Sequence, residues 1–293
     1  MRCNSLRKKV FMTNDYEYIY GERAVAFLDV LGFQSKLLEF EREAVNFKDS
    51  HIDEQSEDNG NSFYYSRMAN DFIETFNSAI SKLNPDKFSY YLFSDNICIT
   101  ANNINSSKEK SLLELLLVIS ELYFEFVQKG YFLRGGIDYG LFIDKSSIAL
   151  GTPLAEAYKI ETSQSVFPRI VLSNNFVKQF KVYSIDNDGP YYSILIDSLI
   201  KKSCEVKYLN VFNHIFKVEN KEEFFESYYT NIKENLLKNA ESERIYSKYQ
   251  WLAKEFNAFI DTYTETLAFL DENFEATDEF ITSIQQLKIS YGN

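Results

Sequence analysis

Residues 24–33 read AVAFLDVLGF, an unbroken apolar run that carries one aspartate, Asp29, and then turns at Gly32-Phe33. A short continuous apolar run of this kind reads as a buried strand. A carboxylate at the end of such a strand needs a reason, because an ionised group is costly to bury alone. One reason is local: Asp is a favoured N-cap, and a helical pattern follows closely. The other is a bound metal ion, and that depends on what the rest of the chain places beside this strand end.

Outward from this run, strand-like and helix-like segments alternate. Residues 23–30 predict the first strand and 32–43 (GFQSKLLEFERE) a short helix. Residues 46–62 are polar, acidic and rich in turn formers, as in a surface loop. Met68, Phe72, Phe76, Ile80 and Leu83 then recur at helical spacing. FSYYLFSDNICIT (88–100) reads as two strands around a tight turn at Ser94-Asp95-Asn96. A strongly apolar helix covers 109–130 and stops on Gly130. YFLRGGIDYG (131–140) predicts a strand, and GTPLAEAYKIET (151–162) opens another helix with Pro153 near its first position. RIVLS (169–173), FKVYSI (180–185) and YYSILI (191–196) read as further strands.

The order βααββαβ predicts an α+β fold, a sheet covered by helices, over residues 20–200. From 201 to 293 the pattern turns helical and predicts an accessory region. There Ile245, Tyr249, Leu252, Phe256, Phe259, Tyr263, Leu267 and Leu270 form one long apolar stripe. Such a stripe is a packing face or, less commonly, a coiled-coil or dimer element.

The 293 residues include 26 Phe and 21 Tyr, with few Gly and Pro, so a sizeable core is expected and disorder is not. A formal charge of −12 argues against a nucleic-acid polymer as partner. It leaves room for a small nucleotide, since a divalent cation bridges carboxylates to phosphates. Cys3, Cys98 and Cys204 show neither metal-ligand spacing nor a disulfide framework, which suits a reducing cytoplasmic setting. The basic N-terminus lacks the apolar core of a secretory signal, and no 18-residue apolar stretch predicts a membrane span.

Asp95, at the tip of the predicted hairpin, is the second notable carboxylate. Alone it is an ordinary turn residue. Together with Asp29 it makes a pair of strand-end carboxylates, which repel unless a cation lies between them. Hard oxygen ligands with open positions suit Mg²⁺ or Mn²⁺ carrying a nucleotide. Arg134, next to two glycines, calls for a carboxylate partner or meets the substrate. Lys159 shares a helix face with Glu156, either as a surface ion pair or as a contact to phosphate.

In their order and rough spacing these segments resemble the class III nucleotidyl cyclase catalytic domain, the family of adenylate and guanylate cyclases, over about residues 22–165. FLDVLGF is similar to the strand carrying the first metal aspartate, and LFSDN to the hairpin carrying the second, with Ser94 in place of glycine. LRGGIDYG and GTPLAEAYK are similar to the strand and helix that follow. The resemblance implies a ferredoxin-like, palm-type sheet and a head-to-tail homodimer with interfacial active sites. It implies two Mg²⁺ or Mn²⁺ ions per site on Asp29 and Asp95, with the Val30 backbone as a further ligand. Val30, Leu31, Gly32 and Phe33 would cradle the phosphates of a nucleoside triphosphate.

The family's transition-state asparagine falls on Ala155 and its arginine on Lys159, which keeps the charge without the bidentate fork. The base-selecting positions fall on Tyr91 and near Ile148, so the usual purine code is absent. The chain thereby resembles the bacterial Pycsar pyrimidine cyclases, whose cyclic UMP or cyclic CMP activates a separate effector in anti-phage defence. That resemblance implies UTP or CTP as substrate. The alternatives are a non-catalytic cyclase-like module and a purine cyclase. A palm polymerase is a third class, but its G-G-D-E/D hairpin is missing at FSDN.

Overall fold

The structure is a computed structural model that describes residues 18–50, 64–102, 108–145, 147–186, 198–270 and 278–291. Its first part runs β1 (Gly21–Val30), α1 (Phe33–Ser50), α2 (Arg67–Ser81), β2 (Phe88–Phe93), β3 (Asn96–Ala101), α3 (Lys108–Val127) and β4 (Leu133–Lys145). There follow β5 (Ile148–Gly151), α4 (Thr152–Gln164), β6 (Ile170–Leu172), α5 (Asn174–Asp186), β7 (Ile200–Ser203) and β8 (Val206–Leu209). A 3-10 turn (Val211–Phe216) leads to α6 (Lys221–Lys238), α7 (Glu243–Leu270) and α8 (Asp278–Gln286).

One eight-stranded sheet carries the molecule, in the order β2-β3-β1-β4-β6-β8-β7, with β5 paired to β4. β1 is central and antiparallel to both β3 and β4. Its side chains alternate between two faces, as a pleated strand requires. Ala24, Ala26, Leu28 and Val30 join the main core with Ile97, Ile99 and the α3 residues Leu115 and Ile119. Val25 faces the other way, with Cys98 and Phe142 and the partly buried Tyr91 and Leu154. That second face is covered by α4, whose Tyr158 meets Phe27 edge-on at 5.3 Å. α4 lies close because Gly136 has no side chain: a Cβ there would run into the Ala157 carbonyl.

The mixed α+β architecture agrees with the sequence pattern, and a helical C-terminal region is present. That region shares the core of the sheet. Phe124 of α3 packs on Phe224 of α6 at 4.8 Å, and Phe225 stacks on Phe259 of α7 at 5.9 Å. Tyr249, Leu252, Phe256, Phe259 and Tyr263, from the long stripe, are all buried in this core, so the stripe is a packing face of the chain itself.

Several segments differ from their reading in sequence. Residues 180–185, expected as a strand, are helical within α5, because Phe176, Val177 and Phe180 line one buried helix face. α1 extends to Ser50, well past the short helix expected. β5 is a four-residue strand with no sequence signal of its own. β7 and β8 form a hairpin at the start of the stretch read as helical and extend the sheet. Residues 191–196, 51–62 and Cys3 lie outside the described residues. Among the described residues no helix is long and apolar enough to cross a membrane. Cys98 and Cys204 are free thiols.

Candidate active site

Asp29 sits on the α4 side of the sheet, by the same alternation that places Val25 and Phe27 there. It lies four residues ahead of Phe33, where α1 begins, too early to be the N-cap of that helix. Between them Gly32 adopts a left-handed φ of 76°, which lets the strand turn sharply into the helix. The first turn of α1 carries no acidic side chain of its own, which leaves its N-terminal end favourable to an anion.

Asp95 is brought to the same end by register. Phe93 pairs with Asn96 across a two-residue hairpin turn, and Asn96 in turn lies opposite Asp29. Ser94, at φ 59°, occupies the position where such turns favour glycine. The Asn96 amide donates to Asp95 Oδ1 at 3.3 Å.

Arg134 lies directly opposite Asp29 on β4, and its Nε donates to Asp29 Oδ2 at 2.7 Å. Its Nη2 approaches Glu161 Oε1 of α4 at 2.8 Å. That second contact is electrostatic rather than aligned, since Glu161 Oε1 has no hydrogen-bond partner. The Glu161 side chain is 3% exposed. One guanidinium thus bridges two carboxylates. Burial pushes the Asp29 carboxyl up to about 7, against the opposing Arg134 charge, with a hydrogen bond and repulsion from Asp95 adding to the rise. Glu161 is also raised, mainly by burial.

These groups open onto a cavity of about 890 Å³ lined by Asp29, Asp95, Arg134 and the backbone run Val30-Leu31-Gly32-Phe33. Its far wall comes from α6 and α7, with Lys238, Arg244, Lys248 and Tyr249, and α1 adds Lys36. Five basic side chains line it against three carboxylates, the third being Glu39. Lys238 pairs with Glu39 at 3.0 Å. Burial lowers the Lys248 ammonium, as do the charges of Arg134 and Arg244, while Asp29 and Glu161 act in the opposite direction.

The structure therefore brings together seven of the residues singled out in sequence: Asp29, Val30, Leu31, Gly32, Phe33, Asp95 and Arg134. Two stand apart from this cavity. The Tyr91 hydroxyl is 2.5 Å from Asp144 Oδ1 and 2.9 Å from the Ile148 carbonyl, in a cluster that also holds Arg23 at 3.2 Å from Asp144. Lys159 is 68% exposed and pairs with Glu156 at 3.2 Å. Sequence reading did not single out Glu161, Lys36, Lys238, Arg244 or Lys248. For Glu161 the signal was Arg134, which demanded a carboxylate. For Arg244 the one local sign was a cation in the first turn of a helix, where it opposes the dipole, and nothing local marked Lys248.

Among the described residues no group of three or more His, Cys, Asp or Glu side chains is arranged to hold a metal ion. The donors present are two adjacent carboxylates and a backbone turn. They fit a hard divalent cation that draws its remaining oxygens from a phosphate ligand and water.

No protein-family model and no curated protein matches the chain. Solved structures with a similar layout include the catalytic core of a rhodopsin-guanylyl cyclase with converted specificity, in complex with ATPalphaS. That match has 11% identity and a TM-score of 0.37, covering 55% of this chain and 82% of the other. The monomeric guanylyl cyclase domain of the RhoGC fusion protein from the aquatic fungus Blastocladiella emersonii matches at 11% identity and a TM-score of 0.36, covering 57% and 90%. The adenylyl cyclase CyaB from P. aeruginosa matches at 12% and 0.36, covering 71% and 99%.

Proposed function

We propose that this chain is a nucleotidyl cyclase of the class III type, with a pyrimidine nucleoside triphosphate as substrate. The observation that carries the reading is the meeting of Asp29 and Asp95 at adjacent strand ends, beside the N-terminal turn of α1, in a cavity rich in cations. In the reaction the ribose 3′-oxygen bonds to the α-phosphorus and the bond to the bridging oxygen of the β-phosphate breaks. Pyrophosphate leaves and the hydroxyl proton passes to solvent.

Asp29, Asp95 and the Val30 carbonyl would hold Mg²⁺ or Mn²⁺, two ions per site. When bound, the ions supply charge neutralisation at the phosphates and acidify the attacking hydroxyl. The backbone of Val30 to Phe33 orients the phosphates at the helix N-terminus. Arg134 holds the Asp29 carboxylate in place and, with Glu161 behind it, fixes which oxygen faces the cavity.

Sites complete only in a head-to-tail homodimer are part of this proposal. Phe93 and Tyr158 flank Phe27 on the α4 side of the sheet and are 46% and 54% exposed, which supports a covering partner there. In such a dimer Lys159 of a second copy meets the phosphates as the transition-state cation. Tyr91, tied to Ile148, takes the place of both base-selecting groups and narrows the base pocket. A cyclic pyrimidine nucleotide made here would act on a separate effector, as in anti-phage signalling.

Incubation of the purified protein with each of the four NTPs and Mn²⁺, followed by mass spectrometry, tests the reading. Cyclic UMP or cyclic CMP is expected. A cyclic purine nucleotide alone removes the pyrimidine assignment, and no cyclic product leaves a nucleotide-binding module. Mixing inactive Asp29→Ala with inactive Lys159→Ala protein is expected to restore partial activity. No recovery despite subunit exchange places the whole site in one chain.

A further inference from the structure

We propose that the helical region supplies the seat for the β- and γ-phosphates: Arg244 and Lys248 of α7, with Lys36 of α1, bind the polyphosphate of the substrate in the same chain that presents Asp29 and Asp95. This rests on the cyclase reading and adds to it the groups that hold the leaving pyrophosphate.

The charge distribution is the first argument. The protein carries a formal charge of −12, yet basic side chains outnumber acidic ones around this cavity. An acidic protein that gathers cations in one concavity has made a site for an anion.

Placement on α7 is the second. Arg244 and Lys248 are four residues apart and share a face. Arg244 stands in the first turn, where the dipole disfavours a basic group, so helix stability does not account for it, and Lys248 follows one turn later on the same face. Farther along α7, Glu255 and Asp261 each hold a lysine, Lys201 at 2.7 Å and Lys288. No such ion pair forms at Arg244 or Lys248 among the described residues. Partial burial lowers both half-buried ammonium groups of the site, and like charges add to it, Arg134 and Arg244 at Lys248 and Lys238 at Lys36, against the carboxylates of Asp29, Glu161 and Glu39. A bound polyphosphate would relieve that repulsion.

Rigidity is the third argument. Tyr249, next to Lys248, is buried and packs edge-on against Phe132 at 5.6 Å, one residue ahead of β4. Leu252 and Phe256 continue the anchor into the core. The start of α7 is therefore fixed to the same strand that carries Arg134, and the cations stand at a set distance from the carboxylates.

The test is calorimetric titration of the full chain with inorganic tripolyphosphate and Mg²⁺, beside NTP kinetics. Wild type is expected to bind tripolyphosphate. The double variant R244Q/K248Q is expected to bind at least tenfold more weakly and to raise KM for the NTP more than it lowers kcat. Lys202→Gln, a surface lysine of the β7–β8 hairpin, is expected to change neither. R244K/K248R, which keeps both charges, is expected to retain most of the binding and separates loss of charge from loss of fold. Unchanged tripolyphosphate affinity in R244Q/K248Q, or none in wild type, overturns the proposal. Binding that depends on these residues in a protein that cyclises no NTP keeps the seat and removes the cyclase reading. Cyclisation with an unchanged KM in R244Q/K248Q does the reverse.

Discussion

Asp29, Asp95 and Arg134 reach the cavity from neighbouring strands, where backbone register sets their spacing, whereas Lys238, Arg244 and Lys248 reach it from the corner between two helices much later in the chain. The first wall stays acidic: one guanidinium is shared between Asp29 and Glu161, and Asp95 has no cation of its own among the described residues. The second carries cations that its own helices do not neutralise. In the first wall a built ion pair ties strand to helix, whereas in the second Lys238 is held by Glu39 and the excess positive charge rests on Arg244 and Lys248. The two therefore respond differently to mutation.

The largest effect is expected at Asp29. Asp29→Asn keeps the shape but removes the charge, and turnover with Mn²⁺ should fall by about 100-fold or more, the scale of a lost electrostatic contact in the transition state. Product quantitation by mass spectrometry checks it, with a cooperative melt showing that the fold persists. Activity within a few-fold of wild type would erase the distinction between the walls.

Arg134→Met should act on stability rather than on chemistry alone. It leaves Asp29 and Glu161 buried without their shared cation, and urea unfolding should show a loss of about 3–5 kcal/mol. A matching substitution in the basic wall, such as R244Q/K248Q, should leave the unfolding midpoint nearly unchanged. Equal losses at both would mean that the second wall is structural too.

Acid should loosen the joint beneath the basic wall. His214 lies in the 3-10 turn that leads into α6 and packs on Phe124 at 5.6 Å. Burial, with Lys217, Lys221 and Lys82, pushes its imidazole down to about 4 from an ordinary value near 6.5. The unfolded chain then binds this proton from about pH 6.5 downward while the folded chain resists it until about pH 4. Stability from this group is whole above pH 6.5 and falls as pH drops from 6.5 toward 4. His214→Gln should flatten that limb in melts recorded across pH 4–7. An unchanged slope would place the acid sensitivity elsewhere.

The smallest effect is expected at the hairpin tip. Ser94→Gly removes a side chain from a left-handed position and should stabilise by about 1 kcal/mol or less, since glycine also gains freedom in the unfolded chain. Thermal melting reads it, and a destabilised variant would show that the serine makes a compensating contact.

Much of the first wall was legible because its signals are local. An aspartate ending an apolar run and another at a hairpin tip are visible in a few residues each. Arg134, flanked by glycines, announced a carboxylate without saying which one, because Glu161 lies on a helix whose docking is decided by Gly136 and Ala157. The basic wall was illegible in the same way. Nothing local relates Lys248 to Asp29, and only the aromatic packing of α7 on the core brings them to one cavity. The misread segment at 180–185 has a similar cause: its apolar residues look strand-like until Phe176 and Val177 are counted as part of the same helical face. Tyr91 was chosen by resemblance and lies in a hydrogen-bonded cluster, while Lys159 was picked out by its spacing from Glu156 and forms that surface ion pair.

The order in which the cavity's parts lie along the sequence also fixes when they exist. Asp29 emerges from a ribosome long before Lys248, and at about 5–20 residues per second the interval is roughly 10–40 s. During that time the nascent chain can pair β1 with β3 and β4, yet it has no α7 to close the cavity. A chain halted before α7 would show its carboxylates to metal and solvent with nothing to seat a polyphosphate. The late helix thus makes the proposed polyphosphate seat the last part of the cavity to form.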